Sequence, residues 1–168
     1  MYAGMMKDNL NVDWQGVLKW NNARPRALIT LWLLCHGKPA TKDRMIRFGL
    51  ITESICSMCK EADESINHIF FECRVTNKIW KTTLGWMNID RDPKGWNAEL
   101  EWIDENTKKK GWKSSILKMA CAEAVYEILS YRNAIVFKKY TQYSVIDRIL
   151  DNIVYRSWMS QKHRKYIA

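Results

Sequence analysis

The chain has 168 residues, 47% of them apolar and 27% charged, which suits one folded domain around a single core and excludes a disordered chain. Seven glycines and three prolines are too few for an all-β fold with many tight turns, and no apolar run is long enough to span a bilayer. The net charge of +9 points to polyanionic partners.

The first residues, MYAGMMKDNLNVDW, lack the charged-then-apolar pattern of a secretory signal. A nuclear or cytoplasmic setting is expected, in which thiols stay reduced and clustered cysteines point to metal rather than disulfides. VDWQGVLKW reads as a first helix, with Asn11 or Asp13 as cap and Val12, Val17, Leu18 and Trp20 on apolar faces. Pro25 opens a second helix, in which Leu28, Leu31, Trp32 and Cys35 fall at helical spacing and Gly37 is the stop. Thr41 is placed to cap a short basic helix, TKDRMIRF, closed by Gly49.

CSMCKEADESINHIFFEC, residues 56–73, follows with three of the five cysteines and one of the three histidines. Cys56 and Cys59 form a C-x2-C pair, a spacing that lets one turn aim two sulfurs at a point. His68 and Cys73 complete C-x2-C-x8-H-x4-C. Three thiolates and an imidazole are a tetrahedral set for one Zn2+, with sulfur selecting against calcium or magnesium. Four protein ligands leave no open position for water or substrate, so the zinc is expected to be structural. Ser65 would cap a short helix over Ile66 to Phe71 that carries His68, with Cys73 just past its end.

VTNKIWKTTLGW continues in helical period, and GWMNIDRDPKGWNAE is broken by glycine and proline. Asp90 and Asp92 fall in that stretch and read as turn residues rather than metal ligands. WNAELEWIDEN is expected to form at most a helical turn or two. The strongest helix runs from about Lys113 to Lys138, with Leu117, Cys121, Ala124, Ile128, Tyr131 and Ile135 as its stripe. A last helix, capped by Ser144, would bury Ile146, Leu150, Ile153, Val154 and Trp158. The expected architecture is all-α: helices plus a zinc lobe over 1–90, a loop or hinge over 91–111, and a helical hairpin over 112–168, together one cooperative domain. Cys35 and Cys121 read as small core residues, and His36 as a helix-end residue without a nucleophile partner.

The zinc segment and its flanks resemble the reverse transcriptase zinc-binding domain found near the C-terminus of plant non-LTR (LINE-type) retrotransposon proteins. Pro25-Arg26, Trp32, Pro39, Thr41 and Arg44 stand where that family has its Pro-basic step, Trp-bearing apolar helix, Pro-Thr-like turn and basic helix. HIFFECRVTNKIW matches its His-aromatic-Cys-to-Trp run, ending at Trp80. Arg132, Asn133 and Phe137 resemble a later Arg-Asn-x-x-x-Phe pattern, so the likeness extends from about residue 14 to 139. The chain opens on Met1 and holds no Tyr-x-Asp-Asp polymerase motif, so a detached piece of such a protein is expected, unable to reverse-transcribe. Trp20, Trp32 and Trp80 match core-like family positions and read as packing. Trp86, Trp96, Trp102 and Trp112, in or beside the loop, are the stronger candidates for stacking on bases.

The charge is uneven. Residues 56–73 sum to −3, whereas residues 1–55 sum to +4 and residues 112–168 to +6. Glu61, Asp63, Glu64 and Glu72 make the zinc segment a poor phosphate contact. The expected nucleic-acid-binding residues are Arg24, Arg26, Lys42, Arg44, Arg47, Arg156, Lys162, Arg164 and Lys165. The resemblance implies RNA or DNA as partner, held through phosphates, with zinc fixing the basic helices. Two rivals are a protein-interaction adaptor with an exposed aromatic surface, and a recruited enzyme using a pocket between the zinc lobe and the hairpin.

Overall fold

Helix α6 (Trp112–Val136) is the axis on which four other helices pack. The structure, a computed structural model, describes residues 14–139 and 144–160. Before α6 come α1 (Gln15–Leu18), α2 (Pro25–Cys35), α3 (Lys42–Arg47), α4 (Arg74–Trp86) and α5 (Trp96–Thr107), and α7 (Val145–Met159) follows it. No strand occurs among the described residues; one antiparallel bridge pairs Ile55 with Asp63. The expected all-α fold with a zinc lobe is therefore the one observed. The proposed caps Asn11 and Asp13 lie outside the described residues.

Local sequence accounts for several helix ends. Pro25 occupies the first turn of α2, where its missing N–H is no loss. Gly37 sits at φ 61° and ends α2, with Gly37 N–H donating to Leu34 O (2.9 Å) and Lys38 N–H to Leu33 O (2.9 Å). Gly49, at φ 68°, closes α3 with the same pair of bonds. The Ser144 hydroxyl accepts from Asp147 N–H at 3.4 Å, as expected of a cap.

α6 is buried on several sides. Leu117, Cys121, Ala124 and Ile128 of the expected stripe are buried, as are Met119, Ala120, Ala122 and Val125 around it, and α2, α5 and α7 pack on the helix. One continuous core takes in Leu31 and Leu34 of α2, Trp80 and Leu84 of α4, and Ile149 and Ile153 of α7. Helix α7 turns a slightly different face inward from the one expected. Ile149, Ile153 and Ser157 are fully buried, while Trp158 is 48% exposed.

The segment 91–111, expected to be a loop or hinge, is largely helical. Its middle is α5, whose Trp96, Leu100 and Ile103 join the core at steps of four and three. Gly95 makes this entry possible. Its backbone (φ 107°, ψ 167°) is open only to glycine, and a Cβ there would stand 2.7 Å from Glu72 Oε1. Five of the tryptophans also depart from the roles expected of them, while Trp86, 43% exposed at the end of α4, does not. Trp20 is 75% and Trp32 46% exposed, whereas Trp96 is buried and Trp102 and Trp112 pack against the core. Trp80 is buried as expected, its indole N–H donating to Glu99 Oε2 at 3.1 Å. The core is completed when α5 lays Trp96 against Phe70 and Phe71, which leaves the outer side of α2 uncovered.

Candidate metal centre

The zinc lobe begins with a narrow hairpin. Glu64 N–H donates to Ser54 O and Cys56 N–H to Ala62 O, both at 2.8 Å, around the Ile55–Asp63 bridge. Between them the Cys56–Cys59 turn closes through Lys60 N–H to Cys56 O (3.1 Å), with Lys60 in the left-handed region at φ 63°. Ser65 then caps the next turn, its hydroxyl accepting from His68 N–H at 3.1 Å. The turn carries His68 as expected but stops early, because Phe70 is extended and Phe71 is left-handed (φ 87°). A wide turn from His68 O to Cys73 N–H (2.7 Å) replaces the last helical bonds. That break drives both phenylalanines into the aromatic core, 5.3 Å from Trp96 and from Trp80 respectively.

The result gathers Cys56, Cys59, His68 and Cys73 so that their ligand atoms all lie within 4.8 Å of one another. The Cys59 sulfur is 3.2 Å from His68 Nε2. All three cysteines are buried and none is in a disulfide. Among the described residues this is the one group of three or more potential ligands so placed, and Asp90 and Asp92 stand apart from it in an exposed loop. Three sulfurs and one imidazole nitrogen at this separation fit a tetrahedral zinc and close its coordination. The cluster is a site for one structural zinc.

The backbone is arranged for thiolates. Cys56 shares a proton with the Cys73 side chain, which holds its thiol down near about 4 against the opposing pull of burial. The N–H groups of Cys59 and Met58 point at the same sulfur and act in the same direction. Cys73 is raised in turn, as the member of the pair that keeps the proton. Its sulfur nevertheless receives the N–H groups of Thr76 and Val75, at the start of α4, where a bound cation would let both sulfurs ionise. By contrast, burial pushes the Cys35 thiol up to about 12 and raises Cys121 as well, in keeping with their place in the core.

Glu64, read from sequence as part of an acidic surface, is fully buried and joins the lobe to two helices. Its carboxylate takes a forked pair from Arg132 of α6 (Nη2 to Oε1 2.6 Å, Nε to Oε2 3.3 Å). It also accepts from Lys42 N–H at 3.0 Å, and its carbonyl accepts from Asp43 N–H at 3.2 Å. The start of α3 is thus capped by the zinc lobe, while Thr41, the expected cap, makes no such bond. No local signal in the sequence marks this pair, since its members lie 68 positions apart.

The predicted phosphate-binding residues divide. Arg24 is committed to Glu123 (2.6 Å) and Glu127 (2.7 Å), and Lys42 is 7% exposed with its ammonium on Glu53 and the Ile55 carbonyl. Arg44 bonds the Gly37 carbonyl and covers the Phe48 ring. Arg26 and Arg47 are exposed on α2 and α3, and Arg47 has only a 3.8 Å approach to Asp43. Arg156 donates to the carbonyls of Asn22 (2.9 Å) and Ala23 (3.4 Å) and meets no carboxylate among the described residues. Lys162, Arg164 and Lys165 lie outside the described residues.

A helical body with a closed Cys3His cluster folded against its core defines a zinc-stabilised helical module. Residues 1–80 match the family model described as zinc-binding in reverse transcriptase, which shows the resemblance over that span. The match ends at Trp80, so α5, α6 and α7 lie beyond it. No curated protein and no solved structure matches the chain.

Proposed function

We propose that this protein is a non-catalytic nucleic-acid-binding module in which zinc fixes the geometry and surface cations hold phosphates. The observation that carries the reading is how the charges are distributed. Four buried glutamates, Glu64, Glu99, Glu123 and Glu127, are matched one for one by Arg132, Arg91, Arg24 and Arg148. The charges of these four pairs cancel, so the net positive charge of the described residues is an excess carried by other groups. Arg26, Arg47 and Arg156 are the described members of that excess among the residues singled out from sequence. The closed zinc site supports a structural metal, since it leaves no position at which a substrate could displace water.

Binding of this kind is salt-dependent, because each phosphate contact releases counterions. The zinc-loaded protein, titrated into labelled structured RNA, single-stranded DNA and duplex DNA across a salt series, is expected to lose affinity linearly on logarithmic axes. Absence of salt-sensitive binding to all three would end this reading.

A second reading, a protein-docking module, draws on α2. Ile29, Trp32 and Leu33 form an exposed stripe on the side away from α6, at 59%, 46% and 38%. Ile29→Glu would abolish a self-association or partner complex that used this stripe while leaving nucleic-acid affinity unchanged.

A further inference from the structure

Trp20 is the most exposed large apolar side chain among the described residues, and its backbone sits in the left-handed region at φ 60°. Both features oppose folding: the indole gains no burial, and a bulky L-residue is strained there. Slack in the loop does not explain them. Asn21 donates to Lys118 O (2.8 Å) and Val17 O (3.2 Å), and accepts from Ala23 N–H at 3.0 Å. Arg156 of α7 grips the carbonyls of Asn22 and Ala23, and Arg24 anchors the far end on Glu123. The loop is held at every step, and it holds an indole out in water.

Beside that indole lies a cavity of about 480 Å³. Its wall brings together Trp20, Asn22, Lys110, Ser114, Ser115 and Lys118. The Lys118 ammonium donates to Lys19 O at 3.2 Å, and neither it nor Lys110 forms an ion pair among the described residues. A second cavity, about 680 Å³ beside the zinc lobe, has Asp43, Asp63, Glu64 and Arg47 in its wall and so offers an anion a mixed lining. Ser160 stands on the lip of the first cavity. An aromatic face, two ammonium groups and small hydrogen-bonding side chains around a few hundred Å³ are the parts an unpaired nucleotide requires.

We infer that Trp20 is a stacking platform for one unpaired base of a single-stranded nucleic acid, whose adjoining phosphate lies against Lys110 and Lys118. The inference rests on the nucleic-acid reading above and adds to it a site and a strand preference. Asn21 and Arg156 are positioning residues, since they fix the loop without facing the base.

The test compares oligo(dT), oligo(rU) and a duplex of equal length, titrated with wild-type protein, Trp20→Gly, Trp20→Phe and Lys118→Gln. Glycine suits φ 60°, so Trp20→Gly removes the ring without straining the backbone. Single strands of both sugars are expected to bind Trp20→Gly about ten-fold more weakly or worse, while duplex affinity moves less than two-fold. Trp20→Phe should retain most of the affinity, and Lys118→Gln should lower the single-strand salt slope by about 0.7. If Trp20→Gly binds single strands as wild type does, with salt sensitivity intact, this site is overturned and the nucleic-acid module stands. Equal losses on single strand and duplex would also overturn the stacking role. If wild-type protein binds none of the three, both readings fall. Should Trp20→Gly fail to fold, the Lys110→Gln/Lys118→Gln double variant, which leaves the indole in place, decides by the same strand comparison.

Discussion

The zinc lobe, residues 54–73, and helix α6 meet at the Glu64–Arg132 pair, yet they are held by different physics. α6 is stabilised by apolar side chains on several flanks, so each contact is one of many and the helix tolerates local losses. The lobe has one bridge, a few backbone bonds and a cluster of four ligands. Its buried apolar residues, Ile69, Phe70 and Phe71, belong to the aromatic core it shares with α4 and α5 rather than to a core of its own. A region with so little burial of its own depends on a few strong, directional interactions, and losing one is felt at once.

The largest effect should come from taking the metal away. Structural zinc contributes apparent binding free energies of about 10–16 kcal/mol in small sites. Chelation, or Cys73→Ser, is therefore expected to open residues 54–73 while α6 keeps much of its helix. Hydrogen exchange read residue by residue checks this: amides of Cys56, Lys60 and Glu64 should lose protection far more than those of Ala120 to Ile128. Equal loss in both regions would mean that the contrast is false and that one cooperative unit spans them.

Next in size is the link between the regions. Glu64→Gln leaves the Arg132 guanidinium, 5% exposed, without its counter-charge, and Arg132→Met strands the Glu64 carboxylate. Breaking a buried pair from one side costs about 3–5 kcal/mol. Replacing both by apolar residues, Glu64→Leu with Arg132→Met, should recover part of that loss. Recovery stays incomplete because Lys42 N–H loses its acceptor at the start of α3. Urea unfolding of the two single variants and the double variant gives the coupling directly.

The same contrast governs what could be read from the sequence. The four ligands were legible because they are close along the chain and their chemistry admits few other uses. Pro25, Gly37, Gly49, Ser65 and Ser144 were legible for the same reason, each acting on bonds within a few residues of itself. What stayed hidden depends on partners far away. Arg24 and Lys42 look like free surface cations until Glu123, Glu127 and Glu53 arrive beside them. Trp20 and Trp32 look like core, yet it is Trp96 of α5 that packs inside, against Phe70 and Phe71. The α5 pattern of Trp96, Leu100 and Ile103 was present in the chain, but Pro93 and the glycines at 85, 95 and 111 read as breaks around it.

Two smaller predictions sharpen the comparison at single backbone positions. Gly95→Ala places a side chain on a backbone that only glycine adopts, against Glu72 of the lobe's last turn. Strain of this kind costs about 1–3 kcal/mol. Calorimetry on the zinc-loaded protein should show the loss, and no loss would mean the loop at 93–95 re-forms around the methyl group. The smallest effect concerns helix capping, a task the two regions perform differently. In α7 a serine next to the helix accepts one N–H at 3.4 Å, a long contact, so Ser144→Ala should cost only about 0.5 kcal/mol, at the low end for a cap. In α3 the corresponding groups are held by Glu64, 22 positions away, whose carboxylate also carries the Arg132 pair. Ser144→Ala should therefore lower the melting temperature by about 1–2 °C and leave the rest of the fold unchanged, whereas a change at Glu64 loosens both the start of α3 and the lobe's link to α6. A Ser144→Ala loss as large as that of Glu64→Gln would show that a local cap and a long-range one carry equal weight here.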